Sequence, residues 1–303
     1  MINKAIANVL PYFPKKLIWI FSKRYIAGET IEEGLLAAKL LNEKNIEVTI
    51  DLLGEFIQSL DEANENYLQY KEIITRFSEE KVTGNFSLKP TMFGLLLDKE
   101  VCYNHIRNLV ALAAKYNSFI RIDMEDSPCV DDEIDQYLRI RKEFPANVGL
   151  VLQAYLRRTF SDLEMFRKHN SEENPVNFRL CKGIYVESEK IAFKGYQEIR
   201  DHYLEDLEFM LKNKMYVGIA THDKYLVEKS IELIKKHNVS KSMFEFQMLY
   251  GVTPELRQSI VDKGYKMRVY VPYGKKWFKY STRRLKENPK IATDIIKALF
   301  IRG

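Results

Sequence analysis

The sequence is short of several things at once, and each shortage removes a class of protein. Its 303 residues include three cysteines, Cys102, Cys129 and Cys181. An odd number at wide spacing suits reduced thiols and excludes a disulfide framework and CxxC-type zinc sites; no metal is expected. Glycine and proline, 13 and 9 residues, make up under a tenth of the chain, and no Pro-rich or Ser-rich tract occurs. Disordered and fibrous classes are therefore excluded. No two glycines stand two apart, so there is no GxGxxG fingerprint, and GxxxxGK[ST], HExxH and GxSxG are missing as well. Any nucleotide must bind without a Rossmann or P-loop turn. Long apolar runs are absent too. Leu17 to Phe21, the longest near the start, falls far short of the ~20 residues that span a bilayer. No small-residue cleavage site follows it, so a cytoplasmic protein is expected.

What is present is an ordinary core-forming composition, 46% hydrophobic, with 47 Lys+Arg against 42 Asp+Glu and a formal net charge of +5. The positive charge is local. Between Lys263 and Lys290 lie ten Lys or Arg and one acid, Glu287, so the rest of the chain is net negative. An anionic ligand is expected at that segment.

Eight short apolar, β-branched or aromatic runs recur: 46–52, 85–89, 119–123, 148–153, 176–181, 215–220, 243–247 and 266–271. Stretches with helical periodicity separate them, such as Val101, His105, Leu109, Leu112 and Val227, Ile231, Ile234. Starts spaced by roughly 25 to 40 residues match a strand plus its crossover helix. The pattern predicts an α/β fold, a (βα)8 TIM barrel over 46–303, with an N-terminal helical segment, 1–45, packing on it in a single domain. An open doubly wound sheet is the competing layout. Thr30 and Glu33 form a capping-box pattern for a helix over 31–42. Ahead of it, Pro11 to Tyr25 mixes Lys15, Lys16, Lys23 and Arg24 with Leu17, Trp19 and Phe21. That stretch reads as a helix closing the bottom of the barrel or as an interfacial membrane contact.

In a parallel barrel the C-terminal strand ends form the mouth where chemistry happens. Here the runs close on polar groups: Asp51 with Gly54 and Glu55 beyond it, Lys89, Asp123 with Glu125, Gln153, Arg179 with Lys182 and Gly183, Thr221 with His222, Gln247, and Tyr270. Any one of these reads plainly as a polar residue stopping a strand; eight together point to a shared rim. Lys89 and Lys182 are equally suited to ion pairs with Asp123 and Asp51. His105 reads as structural, and His222 as either a ligand contact or a cap on the following helix.

After the last run, Tyr280 precedes Arg283 and Arg284 by three and four residues and Glu287 follows one turn on, placing them on one helical face. Adjacent guanidinium forks can grip a carboxylate or phosphate in a bidentate manner, and the tyrosine adds an apolar wall with a polar tip; a solvated basic helix face is the alternative reading. Nucleic acid is not expected, because the basic segment runs through a barrel strand instead of along one exposed face.

Taken together, Arg24 to Thr30, Asp51 to Glu55, Arg179 to Tyr185, Ala220 to Asp223, Phe244 to Gly251 and Val269 to Gly274, leading to Tyr280 and Arg283-Arg284-Leu285, resemble the flavin-dependent proline dehydrogenases over nearly the whole chain. The resemblance implies a distorted (βα)8 barrel with FAD at the strand C-termini, in the monofunctional bacterial form. It implies that Arg283, Arg284 and Lys89 hold the carboxylate of L-proline, while Asp123, Leu180, Leu249, Tyr270 and Tyr280 surround the ring. Glu55 resembles the acid that pairs with one arginine to close the mouth. Gln153, Arg179, Lys182, Gly183, Ile184, Thr221, His222 and Glu287 match flavin-contacting positions. Ile184 departs from the pattern, since relatives often carry Ala there beside the cofactor. The implied reaction is oxidation of L-proline to 1-pyrroline-5-carboxylate by hydride transfer to flavin N5, the first step toward glutamate. Electrons would pass to a membrane quinone, reached by peripheral contact with the inner face of the cell membrane. A Schiff-base lyase or aldolase using Lys89 or Lys182 is the competing enzyme, and a basic module for nucleic acid or anionic membrane the competing non-enzyme.

Overall fold

The computed structural model describes residues 18–19, 22–278 and 280–281. Eight parallel strands close in sequence order: β1 Glu47–Leu52, β2 Gly84–Leu88, β3 Ile120–Ile122, β4 Val148–Gln153, β5 Asn177–Cys181, β6 Tyr216–Ala220, β7 Phe244–Leu249 and β8 Met267–Tyr273. The closing β1–β8 pair runs from Glu47 against Arg268 to Leu52 against Tyr273. The barrel is therefore the architecture, and the open sheet is not. Helix α1 (Ile31–Asn42) precedes the barrel, and α2 (Leu60–Glu79), α3 (Lys99–Lys115), α4 (Val130–Glu143), α5 (Thr159–Arg167), α6 (Tyr196–Lys212), α7 (Lys224–Lys236) and α8 (Pro254–Asp262) connect successive strands. None of the described helices is long and apolar enough to cross a membrane.

Local chemistry sets the element ends. Thr30 accepts from the Glu33 amide and Glu33 reaches back to the Thr30 amide, so the capping box starts α1 where the sequence pattern puts it. Strand β2 stops at Leu88, one residue before Lys89, because Pro90 has no N–H to continue a ladder and instead opens a 3₁₀ turn, Pro90–Phe93. Strands β7 and β8 each run two residues past their apolar patterns, to Leu249 and Tyr273.

Alternation along each strand sends one side chain outward and the next into the barrel. The outward set is apolar: Val48, Ile50, Phe86, Ile122, Leu150, Phe178, Leu180, Ile219, Phe246 and Val269 are all buried beneath the helices. The inward set is not the branched aliphatic filling usual in such barrels. It is polar, with Thr49, Asn85, Ser87, Arg121, Arg179, Glu245, Gln247 and Arg268 all buried. Burying such groups is costly without partners, and they have them. Arg121 donates to the Leu150 and Asn177 carbonyls at 3.2 and 2.7 Å; burial still pulls its guanidinium down to about 9. Arg268 donates to Glu245 at 2.7 Å and to the Val48 carbonyl at 2.9 Å. Burial alone would raise the Glu245 carboxyl, but Arg268 outweighs it and holds the group at about 2.

The described residues ahead of α1, 18–19 and 22–30, do not lie at the bottom of the barrel. Helix α1 ends just before β1 begins, at the bottom, so its N-terminus must lie at the mouth. There Ala27 donates to the Pro272 carbonyl and Gly274 to that of Gly28, both at 2.9 Å. Trp19 packs on Trp277 with ring centroids 4.6 Å apart, and the Trp277 indole donates to Glu29 at 2.5 Å. The remainder of the Pro11–Tyr25 stretch that the sequence singled out, residues 11–17, 20 and 21, lies outside the described residues.

Candidate functional site

Two clusters of side chains meet at the mouth. The first forms across β1, β2, β3 and β8. Lys89, released from β2 by the Pro90 turn, donates to Asp51 Oδ1 at 2.8 Å and lies 3.8 Å from Asp123 Oδ2. The Tyr270 hydroxyl donates to Asp123 Oδ2 at 2.9 Å, and the Ser87 hydroxyl to Oδ1 at 2.5 Å. Burial raises the Asp51 carboxyl above its ordinary value in spite of the Lys89 ammonium beside it. Burial, reinforced by Asp123, pushes the Tyr270 phenol well up, so it remains a neutral hydrogen-bond donor.

Arg179, on β5, joins this cluster from the opposite wall. Its Nε donates to Gln247 Oε1 at 2.6 Å, while Nη1 donates to Asp123 Oδ1 at 2.8 Å and Ser87 Oγ at 3.1 Å. The guanidinium lies over the Tyr270 ring, 5.1 Å from its centroid. Nη2 alone is buried with no hydrogen-bond partner, although Arg179 is only 6% exposed. An arginine has five N–H groups, and the pair on Nη2 of this one has no acceptor within the protein.

The second cluster belongs to β5, β6 and α6. Lys182 donates to Asp223 Oδ2 at 2.7 Å, and Arg200 makes a two-pronged pair with the same carboxylate at 2.8 and 2.7 Å. The Tyr196 hydroxyl adds a bond at 3.0 Å. Burial would raise Asp223, but the bonds from Arg200 and Lys182 win and hold it well below the usual carboxylate range. Next to Lys182, Gly183 has φ +109°, a left-handed conformation that favours glycine, and a Cβ there would run into the Tyr155 ring.

Between the clusters lies a cavity of about 610 Å³, within the range of small-molecule and cofactor sites. Of the residues the sequence singles out, Lys89, Asp123, Gln153, Arg179, Lys182, Gly183, Ile184, Thr221, His222, Leu249, Tyr270 and Tyr280 line it. Ile184 is 41% exposed, at the rim. Leu180 is not brought to the cavity. It is fully buried on the helix-facing side of β5, because its neighbours Arg179 and Cys181 take the inward positions. Glu55 is half-buried on the loop after β1 and is not among the lining residues. Arg283, Arg284 and Glu287 lie outside the described residues. His222 caps no helix: its Nε2 accepts from the Leu249 amide at 2.8 Å, and Asp223 caps α7. His105 lies away from the mouth, stacked on Tyr67.

Ser87, Tyr196 and Asp223 belong to the site and were not singled out as functional from sequence. Only Asp223 carried a local signal, as an N-cap residue ahead of an amphipathic stretch. Lys182 pairs with Asp223, not with Asp51.

The chain is similar to known proteins in sequence and in fold. A family model described as proline dehydrogenase matches residues 35–295. The chain is 36% identical over 278 residues to proline dehydrogenase 1 of Bacillus subtilis subsp. natto, covering 92% of this chain and 90% of that one. It is 31% identical over 289 residues to the proline dehydrogenase of Deinococcus radiodurans, covering 94% and 92%. Among solved structures, proline utilization A from Bdellovibrio bacteriovorus, inactivated by N-propargylglycine, superposes with a TM-score of 0.83 at 26% identity. That match covers 89% of this chain and 33% of the longer one.

Proposed function

This chain belongs to the proline dehydrogenase family, and on that premise we propose that it oxidises L-proline to 1-pyrroline-5-carboxylate using FAD, passing the electrons to a membrane quinone. The observation that supports the cofactor assignment is Arg179, which lines the cavity and has an Nη2 with no acceptor in the protein. A spare donor on a residue there fits an acceptor-rich ring system, and Lys182 adds a second donor at the same cavity. Gln153, Thr221 and His222 complete the set that would hold FAD, with Gly183 allowing close approach. When bound, FAD supplies the hydride acceptor.

The chain's own task is orientation. Lys89 provides a cation at one end of the cavity, and Arg283 and Arg284 would complete the grip on the substrate carboxylate. Tyr270, Tyr280 and Leu249 form the apolar wall for the pyrrolidine ring. A pose fixed at the carboxylate would hold the ring for reaction at its carbon next to nitrogen. The surrounding cations favour the neutral amine. Both candidate Schiff-base lysines are ion-paired, Lys89 with Asp51 and Lys182 with Asp223, which favours the orienting role over a nucleophilic one.

The experiment is a visible spectrum. Purified protein is expected to be yellow and to bleach on adding L-proline; a colourless protein that ignores added FAD would sink the reading. Lys89→Met, Arg283→Met or Arg284→Met should each raise KM for proline with flavin retained, by the loss of a charge-assisted contact of about 1.5 to 3 kcal/mol. Quinone reduction on anionic vesicles, compared with and without residues 11–25, tests the membrane contact.

A further inference from the structure

We propose that Gln247 is a positioning residue for Arg179, with its amide held in one orientation by Glu245 and given room by Gly218. This deepens the FAD reading and rests on it.

A glutamine amide has a donor end and an acceptor end of nearly the same shape, and its neighbours decide which way it faces. Here both neighbours agree. Gln247 Nε2 donates to Glu245 Oε1 at 2.7 Å, and the carboxylate can only accept. Gln247 Oε1 accepts from Arg179 Nε at 2.6 Å, and the guanidinium can only donate. A flipped amide would set oxygen against carboxylate and NH2 against guanidinium. Glu245 is itself pinned, with Arg268 Nε at 2.7 Å and Nη2 at 3.1 Å. The line Arg268, Glu245, Gln247, Arg179 thus runs up the polar interior of the barrel and ends on the cavity wall.

The amide needs space, and β6 supplies it. Gly218 pairs with Glu245 across the β6–β7 ladder, and a Cβ at that position would run into Gln247 Nε2. Glycine inside a strand marks such a close approach. The effect is on direction. Arg179 is tied at Nε by Gln247 and at Nη1 by Asp123 and Ser87, which leaves Nη2 as the only unused corner of the fork. Without the Nε tie the fork can swing about Nη1, and the guanidinium loses its fixed place at the cavity. Gln247 lines the cavity as well, but both ends of its amide are already engaged by the protein.

The test is the two-electron potential of bound FAD in wild type, Gln247→Met, Arg179→Met and the double variant. A cation held in place beside the flavin favours the reduced, more negative form. In Gln247→Met the preference for reduced over oxidised FAD should fall about tenfold, a drop of about 30 mV for a two-electron couple. The double variant should lie no lower than Arg179→Met alone, because the two side chains act at one point. Gly218→Ala, which displaces the amide without deleting it, should lower the potential in the same direction and serves if Gln247→Met does not fold. A wild-type potential in Gln247→Met or Gly218→Ala, or additive drops in the double variant, would overturn the proposal while leaving FAD in place. Wild-type protein that takes up no FAD would instead sink the function reading itself.

Discussion

Replacing Lys89 by methionine removes one charge from a buried set and leaves the other behind, and the cost should depend on pH in a defined direction. Lys89 Nζ sits 2.8 Å from Asp51 Oδ1, and Asp51 is wholly buried. Breaking a buried pair by deleting one partner costs about 3 to 5 kcal/mol, because an uncompensated charge remains. Asp123 is spared, since Arg179 still pairs with it at 2.8 Å. The Asp51 carboxyl is already raised above its ordinary 3.8 by burial, with Lys89 opposing the rise. A raised carboxyl means that the native state binds more protons than the unfolded chain, so its contribution is favourable at low pH and is lost as pH climbs through the folded value. Without Lys89 that value climbs further and the window extends upward. The variant can escape at low pH by protonating Asp51, so the cost should be smaller at pH 5 than at pH 8, where it should approach the full ~3 to 5 kcal/mol. Urea unfolding at the two pH values, followed by far-UV circular dichroism, measures the difference. Lys89→Met combined with Asp51→Asn should recover most of the loss at pH 8. Equal costs at both pH values, or a double variant weaker than the single one, would refute the reasoning.

Asp206 on α6 is 2% exposed, has an oxygen without a partner, and is raised by burial to about 8. Its native form therefore carries a proton that the unfolded chain releases near 4, and stability should fall as pH rises between those values; Asp206→Asn should gain about 1 to 3 kcal/mol at pH 8 and little at pH 4, read from thermal unfolding. The Tyr70 hydroxyl donates to the Ser87 carbonyl at 2.6 Å and accepts from the Leu52 amide at 3.3 Å, so Tyr70→Phe should cost about 1 to 3 kcal/mol in urea unfolding. Asp223, held well below its ordinary value, contributes stability above pH 4 that is lost as pH falls; Asp223→Asn should flatten the stability decline between pH 4 and pH 2 in an acid titration followed by circular dichroism.

The barrel was legible because strand periodicity and strand length survive in the apolar runs, and the polar residues that end them mark the mouth. The polar interior was harder to read. In Phe244-Glu245-Phe246-Gln247 the alternation looks the same whether the polar side faces water or a closed barrel, and only closure decides between them. Ion pairing across the mouth depends on which strands become neighbours. Lys182 and Asp223 meet because β5 and β6 are adjacent, a fact absent from either residue's local sequence. Leu180 shows the opposite error: a residue next to Arg179 in sequence faces away from it, because strand alternation separates them. For the described residues before α1, 18–19 and 22–30, the reading as a bottom-closing helix fails because composition carries no direction. The direction comes from α1 itself, which must run antiparallel to β1.

Because Trp19 rests on Trp277 and Gly274 bonds to Gly28, the chain enters and leaves the barrel side by side, at the mouth end of β8. Anything tethered beside either of these points, whether a dye, a fused domain or a solid support, would stand at the entrance. A bulky fusion there should hinder a large electron acceptor more than a small one. A fluorophore attached through the exposed Lys23 would act as a doorway sensor, responding to ligands that never contact the dye.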